Sequence, residues 1–303
     1  MIFWIRSYSE FPPYLSSNYA DNGDAMKRRH FLTRSVVVSC APLMPGFLRN
    51  IDGLSTQSSR SGRTLIVVQL AGGNDGLNTI VPYGDDRYYQ SRPTLGIRPE
   101  RLIHLDDHQG VQEALTPLME VYEQAEMTIL NAVGYPNPNR SHFRSMDIWQ
   151  TASHADQHLT TGWLGRFLDH ECSGCQKPYH AIEMGDNLSL ALQGEAYKGF
   201  AMRGLQKLRR TANNTFLQTM GSAYSPSGAE GNQLDFLYKT MVDVQESAAY
   251  ILEKARRSYA GSGYPDHPFG RGLRQIADLM LSDCDTRIYY IQLPGFDTHV
   301  NQK

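Results

Sequence analysis

The sequence predicts an α/β fold built on a mainly parallel sheet. Three observations carry that prediction. Residues 64–71 (TLIVVQLA) form a near-continuous apolar run closed by Gly72-Gly73, the pattern of a buried parallel strand. Residues 127–133 (MTILNAV) form a second such run, ending at Gly134. Between them, Val111, Ala114, Leu115, Leu118, Met119 and Tyr122 recur at helical spacing and give one apolar stripe over 111–122. Strand, helix and strand in that order predict a right-handed crossover.

The rest of the chain repeats the alternation. Leu234, Leu237, Met241, Ala248, Ile251, Leu252 and Ala255 predict a long amphipathic helix over 234–255. Phe269, Leu273, Ile276, Ala277 and Met280 predict another, and 287–293 (RIYYIQL) predict a further strand. Residues 203–232, rich in Arg, Asn, Ser and Gly, read as an exposed insertion. No internal repeat is present.

Length and charge narrow the function classes. A chain of 303 residues has room for one large α/β domain or two ordinary ones. Its 29 Lys and Arg against 31 Asp and Glu leave a net charge of −2, which is no footprint for nucleic acid. Charged residues at 20% and aromatics at 10% belong to a chain that builds a core. No apolar run reaches the ~18 residues of a transmembrane helix.

The first sixty residues read as an address. Residues 26–48 run from Met26-Lys27-Arg28-Arg29-His30-Phe31-Leu32 through Val36-Val37-Val38 to Ala41-Pro42-Leu43-Met44. A basic cluster, an apolar stretch and small residues make a signal peptide, and the paired arginines fit the twin-arginine export route. The expected partner is the twin-arginine translocase and the expected compartment is the periplasm or the exterior. Met26 is then the expected start, with residues 1–25 an over-extended reading frame and residues 49–63 a linker. The expected α/β domain spans 64–303. Val37-Val38-Ser39-Cys40 also resembles a lipoprotein processing box. Cys172-Ser173-Gly174-Cys175 lacks the second pair of a zinc ribbon. In an exported protein it reads as a local disulfide, the alternative being two inert thiols.

Polar clusters follow the predicted strands: 72–78 (GGNDGLN), 134–142 (GYPNPNRSH) and 295–299 (GFDTH). Ligands in open α/β sheets bind beyond the carboxyl ends of strands, so the three clusters read as one composite site. The first cluster is neither a Walker A loop nor G-x-G-x-x-G, which argues against nucleotides. Asp75 sits in a glycine-flanked turn, as a metal ligand or as an Asx-turn carboxylate. Asp297-x-His299 offers an oxygen and a nitrogen that face the same way if the backbone stays extended. With Asp75 they form an O/N set suited to zinc or manganese, less so to calcium. Ser141 opens a helix, as an N-cap or as a nucleophile beside a metal, with Arg140 and Arg144 placed to hold ester oxygens. Ligand atoms sharing one zinc are expected roughly 3–5 Å apart.

These motifs carry a family resemblance. Gly72–Asn78 with Thr79 and Pro82, Ser141-His142-Phe143 with Asp147-x-Trp149-x-Thr151, Gly162-Trp163-Leu164-Gly165-Arg166, and Phe296–His299 with Gln302 occur in this order behind the twin-arginine start. The set resembles the bacterial family named domain of unknown function 1501, in the alkaline phosphatase-like superfamily with sulfatases and phosphoglycerate mutases. The resemblance covers residues 26–303. It implies a doubly wound α/β/α sandwich with Asp75, Asp297 and His299 as metal ligands and Ser141 in the nucleophile position. Family members continue to a Ser-Glu-Phe-Gly-Arg stretch and an Asp-His-Gly motif that this sequence lacks. The resemblance therefore implies a fragment or a shortened member, with half of a two-metal site absent. The implied function is a metal-dependent hydrolase acting on phosphate or sulfate esters of small molecules or polymers. The competing function is a non-catalytic exported binding or assembly protein on the same scaffold.

Overall fold

The computed structural model describes residues 64–170, 172, 177–215, 219, 233–256 and 263–299. The twin-arginine segment, the linker, Cys40 and Cys175 lie outside these residues, as does most of 216–232. Cys172 is disulfide-bonded.

The main sheet has four parallel strands in the order β1-β7-β5-β6. They are β1 (Leu65–Leu70), β5 (Ala181–Met184), β6 (Phe200–Met202) and β7 (Ile288–Leu293). The fold is thus mixed α/β with a mainly parallel sheet, as the sequence predicts. β7 lies between β1 and β5 and is the apolar run most suited to a position buried on both faces. Its alternation sorts the core. Ile288 and Tyr290 pack with Leu65, Val67 and Ala181 against Trp163, Leu164, Phe167 and Leu168 of helix α4 (Trp163–His170). Tyr289 and Ile291 face the other way, with Ile182, Phe200 and Met202. That face is covered by Leu208 of α5 (Leu205–Ala212), by Ala248 and Ile251 of α6 (Gln233–Lys254), and by Ile276 and Leu279 of α7 (Pro268–Leu281). Each fully buried Leu, Ile or Phe contributes roughly 1.5–3 kcal/mol to holding a layer in place.

Helix α7 starts where its sequence directs. Pro268 follows the N-cap His267, whose Nδ1 accepts from the Gly270 N–H at 3.1 Å. The absence of a side chain at Gly272 lets the helix close onto β7: a Cβ there would lie 2.6 Å from Ile291 Cδ1. Among the described residues, no helix is long and apolar enough to cross a membrane.

Four expectations need correction. Residues 111–122 are not one helix: Val111 and Gln112 belong to strand β4 (Gly110–Gln112), a 3-10 turn covers Glu113–Leu118, and only Met119–Glu123 (α2) is α-helical. Pro117 inside the 3-10 turn has no N–H for an α-helical bond. Residues 127–133 form no strand, so the predicted crossover is not made. Met127 and Ile129 instead pack on a small third core of Ile80, Val111 and Met119, Leu130 and Val133 are exposed, and Ala132 takes a left-handed φ of 54° that breaks an extended run. That small core belongs to an antiparallel sheet, β2-β4-β3, with β2 at Ile80–Val81 and β3 at Leu102–His104. Among the described residues, strand β1 lies at the sheet edge with only Leu65 and Val67 buried, so one of its faces is deeply covered and the other partly. Finally, the segment expected to be an exposed insertion begins with α5, whose Leu208 is buried in the main core.

Candidate metal centre

Parallel pairing of β1 and β7 brings the loops that leave them to one edge. Their ladder continues past the strands, with Ala71 N–H donating to Leu293 O at 2.9 Å and Phe296 N–H to Ala71 O at 3.3 Å. The glycines make that approach tight. Gly72 has a φ of 105°, and a Cβ on it would lie 2.6 Å from the Asp297 nitrogen. Gly73, at φ 90°, lies under the His142 ring, where a Cβ would come within 3.1 Å of Cε1. Only glycine accepts both the left-handed backbone and the contact. The paired glycines thus form the floor on which Asp297 and His142 rest.

His142 is the first residue of α3 (His142–Thr151). Its Nε2 lies 3.2 Å from Asp297 Oδ1, and His299 Nε2 lies 2.7 Å from the same oxygen. The two imidazoles stand edge to face, with centroids 5.8 Å apart. One ligand atom from each of His142, Asp297 and His299 lies within 4.8 Å of the other two. Side-chain exposures of 44%, 48% and 72% leave the three open to solvent. The backbone is not extended through the motif: His299 adopts φ 44°. The turn nevertheless carries its ring back onto Asp297.

The donor set of two imidazole nitrogens and one carboxylate oxygen suits zinc or manganese better than calcium. The spacing is close to that of ligands around a common ion, since bonds of ~2.0–2.2 Å hold them within a few ångströms of one another. The three residues together could hold a single divalent cation.

The other predicted residues are placed as follows. Asp75 does not join the three-residue cluster. Its Oδ2 accepts from Arg92 Nη1 at 2.5 Å in a mostly buried ion pair, and its carbonyl accepts from Thr79 Oγ1 at 2.8 Å. The loop around it is closed by Asn78 Nδ2 on Leu95 O at 3.0 Å and by Tyr88 Oη on Asn78 Oδ1 at 2.7 Å. Ser141 is the N-cap of α3, but its side chain makes no capping bond, and the residue is exposed. Arg140 is exposed beside it. Arg144 is tied to the carbonyls of Ala155 and Gln157 and so fixes the loop after α3.

Sequence reasoning missed His142 as a donor, although it adjoins Ser141 in the motif. The signal was its position at a helix start in a predicted site loop. Its partner Asp297 is remote in sequence, so only the fold could pair them. No family model, no curated protein and no solved structure matches this chain.

Proposed function

We propose that the protein is an exported, metal-dependent hydrolase of phosphate or sulfate esters on an alkaline phosphatase-like scaffold. The observation that carries this reading is the convergence of His142, Asp297 and His299 beyond the ends of two parallel strands. Exposed ion pairs contribute under about 1 kcal/mol, so stability gives little reason to gather these groups. A divalent ion held by His142, Asp297 and His299 would supply a Lewis acid for an ester oxygen.

The chain supplies the rest. Ser141 is the nucleophile in this reading: its oxygen bonds to phosphorus or sulfur as the bond to the ester alcohol breaks, its proton passes to solvent, and the alcohol leaves with a proton from water; a second water then cleaves the Ser141 ester, releasing phosphate or sulfate and restoring the hydroxyl. The hydroxyl is suited to this because no capping bond engages it. The first N–H groups of α3 and the Arg140 guanidinium favour the anionic ester oxygens. Arg144 serves the loop, so Arg140 takes that role alone. Export by the twin-arginine route accords with seating a metal before translocation.

The test is turnover of p-nitrophenyl phosphate and p-nitrophenyl sulfate by the full chain with added zinc or manganese. Ser141→Ala is expected to lower turnover by about 1000-fold or more while metal stays bound. Equal turnover in wild type and Ser141→Ala removes the assigned nucleophile. A second reading, an exported binding or assembly protein, is favoured by the exposed apolar residues Leu130, Val133, Phe143 and Trp149. Bound metal without turnover on either ester selects it.

A further inference from the structure

Between β1, β7 and α3 lies a partly buried polar junction that the proposed chemistry does not use. Gln69 of β1 directs its amide oxygen at two donors. Tyr290 of β7 donates its hydroxyl to Gln69 Oε1, and Gln150 of α3 donates Nε2 to the same oxygen at 3.2 Å. Tyr290 and Gln150 are both buried. Burial, reinforced by the nearby Glu183 carboxylate, pushes the Tyr290 phenol well above its ordinary range, so it stays a protonated donor.

The three contributors are the elements that carry the three parts of the centre. β1 leads into the Gly72-Gly73 floor, β7 into Asp297 and His299, and α3 begins with His142. Apolar packing fixes how far a helix sits from a sheet but resists sliding along it poorly. A shared hydrogen-bond acceptor is directional and fixes that register.

We propose that Gln69, Tyr290 and Gln150 are positioning residues that set α3 against β1 and β7, and so hold His142 on Asp297. This rests on the reading of His142, Asp297 and His299 as one centre. Partners that orient metal ligands typically change affinity by 10–100-fold when lost.

The test separates positioning from stability. Gln69→Leu removes the acceptor shared by two buried side chains and is expected to lower the melting temperature. The triple variant Gln69→Leu/Gln150→Leu/Tyr290→Phe removes all three polar groups together, which is expected to recover most of that loss. In the metal-free full chain at one fixed pH, the ring nitrogen resonances of His142 and His299 are followed by NMR. Tyr290→Phe serves as the milder second variant. Positioning predicts that the triple variant and Tyr290→Phe both shift the His142 ring resonances. It also predicts about tenfold weaker zinc binding in the triple variant. Wild-type His142 resonances in both variants overturn the proposal. If wild type binds no zinc while the His142 resonances still move, the metal reading fails and the junction stands.

Discussion

Two neighbouring loops, one after β1 and one after β7, look alike in sequence and behave differently in the fold. Each follows an apolar strand, starts with glycine and offers an aspartate. The 72–79 loop is closed on itself: Asp75 meets Arg92, Asn78 meets Leu95 and Tyr88, and Thr79 returns to Asp75. The 295–299 loop stays open, and Asp297 meets two imidazoles at the surface. The difference lies in the partner. A guanidinium within reach satisfies a carboxylate and makes it part of the frame, whereas two exposed imidazoles are themselves metal donors and leave the carboxylate able to share a cation with them. The closed loop still serves the open one, through glycines that let Asp297 and His142 approach.

The strongest way to break this division is at Gly72. Gly72→Val introduces a β-branched side chain at φ 105° where even a Cβ meets the Asp297 backbone. We expect a loss of roughly 2–3 kcal/mol in urea unfolding together with loss of zinc binding. Retained zinc binding would show that the floor does not set the centre.

A smaller effect sharpens the contrast between the aspartates. Asp75→Asn keeps an acceptor for Arg92 but removes the charge, and about 1 kcal/mol of stability should go with it. Zinc affinity should be unchanged in calorimetric titration. A large fall in affinity would make Asp75 a ligand and its pairing with Arg92 secondary.

The third carboxylate extends the comparison inward. Glu183 on β5 is buried, with Oε2 accepting from the Ser189 N–H at 2.6 Å and Oε1 from Gln292 Nε2 at 3.4 Å. Burial raises its carboxyl above the ordinary glutamate range, against the opposing pull of those two donors. The folded state therefore binds this proton more tightly than the unfolded chain. Stability from this group is fully present below the unfolded-chain value and declines as pH rises through the folded one. Glu183→Gln should remove that decline when urea midpoints are measured from about pH 4 to pH 8. Parallel midpoints for wild type and variant would show that Glu183 ionises in the fold without cost.

Much of this arrangement was legible in the sequence, for physical reasons that differ by element. β7 and α7 were clear because their apolar patterns match the faces they bury. β5 and β6 escaped notice because they are short, and β5 carries Glu183 on an otherwise apolar strand. Residues 127–133 misled because an apolar run is a strand only if a neighbour pairs with it. Here Met127 and Ile129 are drawn onto the small sheet instead. Asp297 and His299 were legible as a local motif. His142 and the Gln69 junction were not, because they depend on contacts between β1, β7 and α3 that no local pattern encodes.

The central claim is that His142, Asp297 and His299 hold one divalent cation. Zinc titration of the full chain, purified without affinity-tag histidines and monitored by calorimetry, tests it directly. The account predicts one ion per chain, with affinity falling by 10-fold or more, roughly, in each of His142→Ala, Asp297→Ala and His299→Ala. It also predicts that melting temperatures of the metal-free variants stay near wild type, because the exposed contacts stabilise little. Equal zinc binding by wild type and all three variants would contradict it.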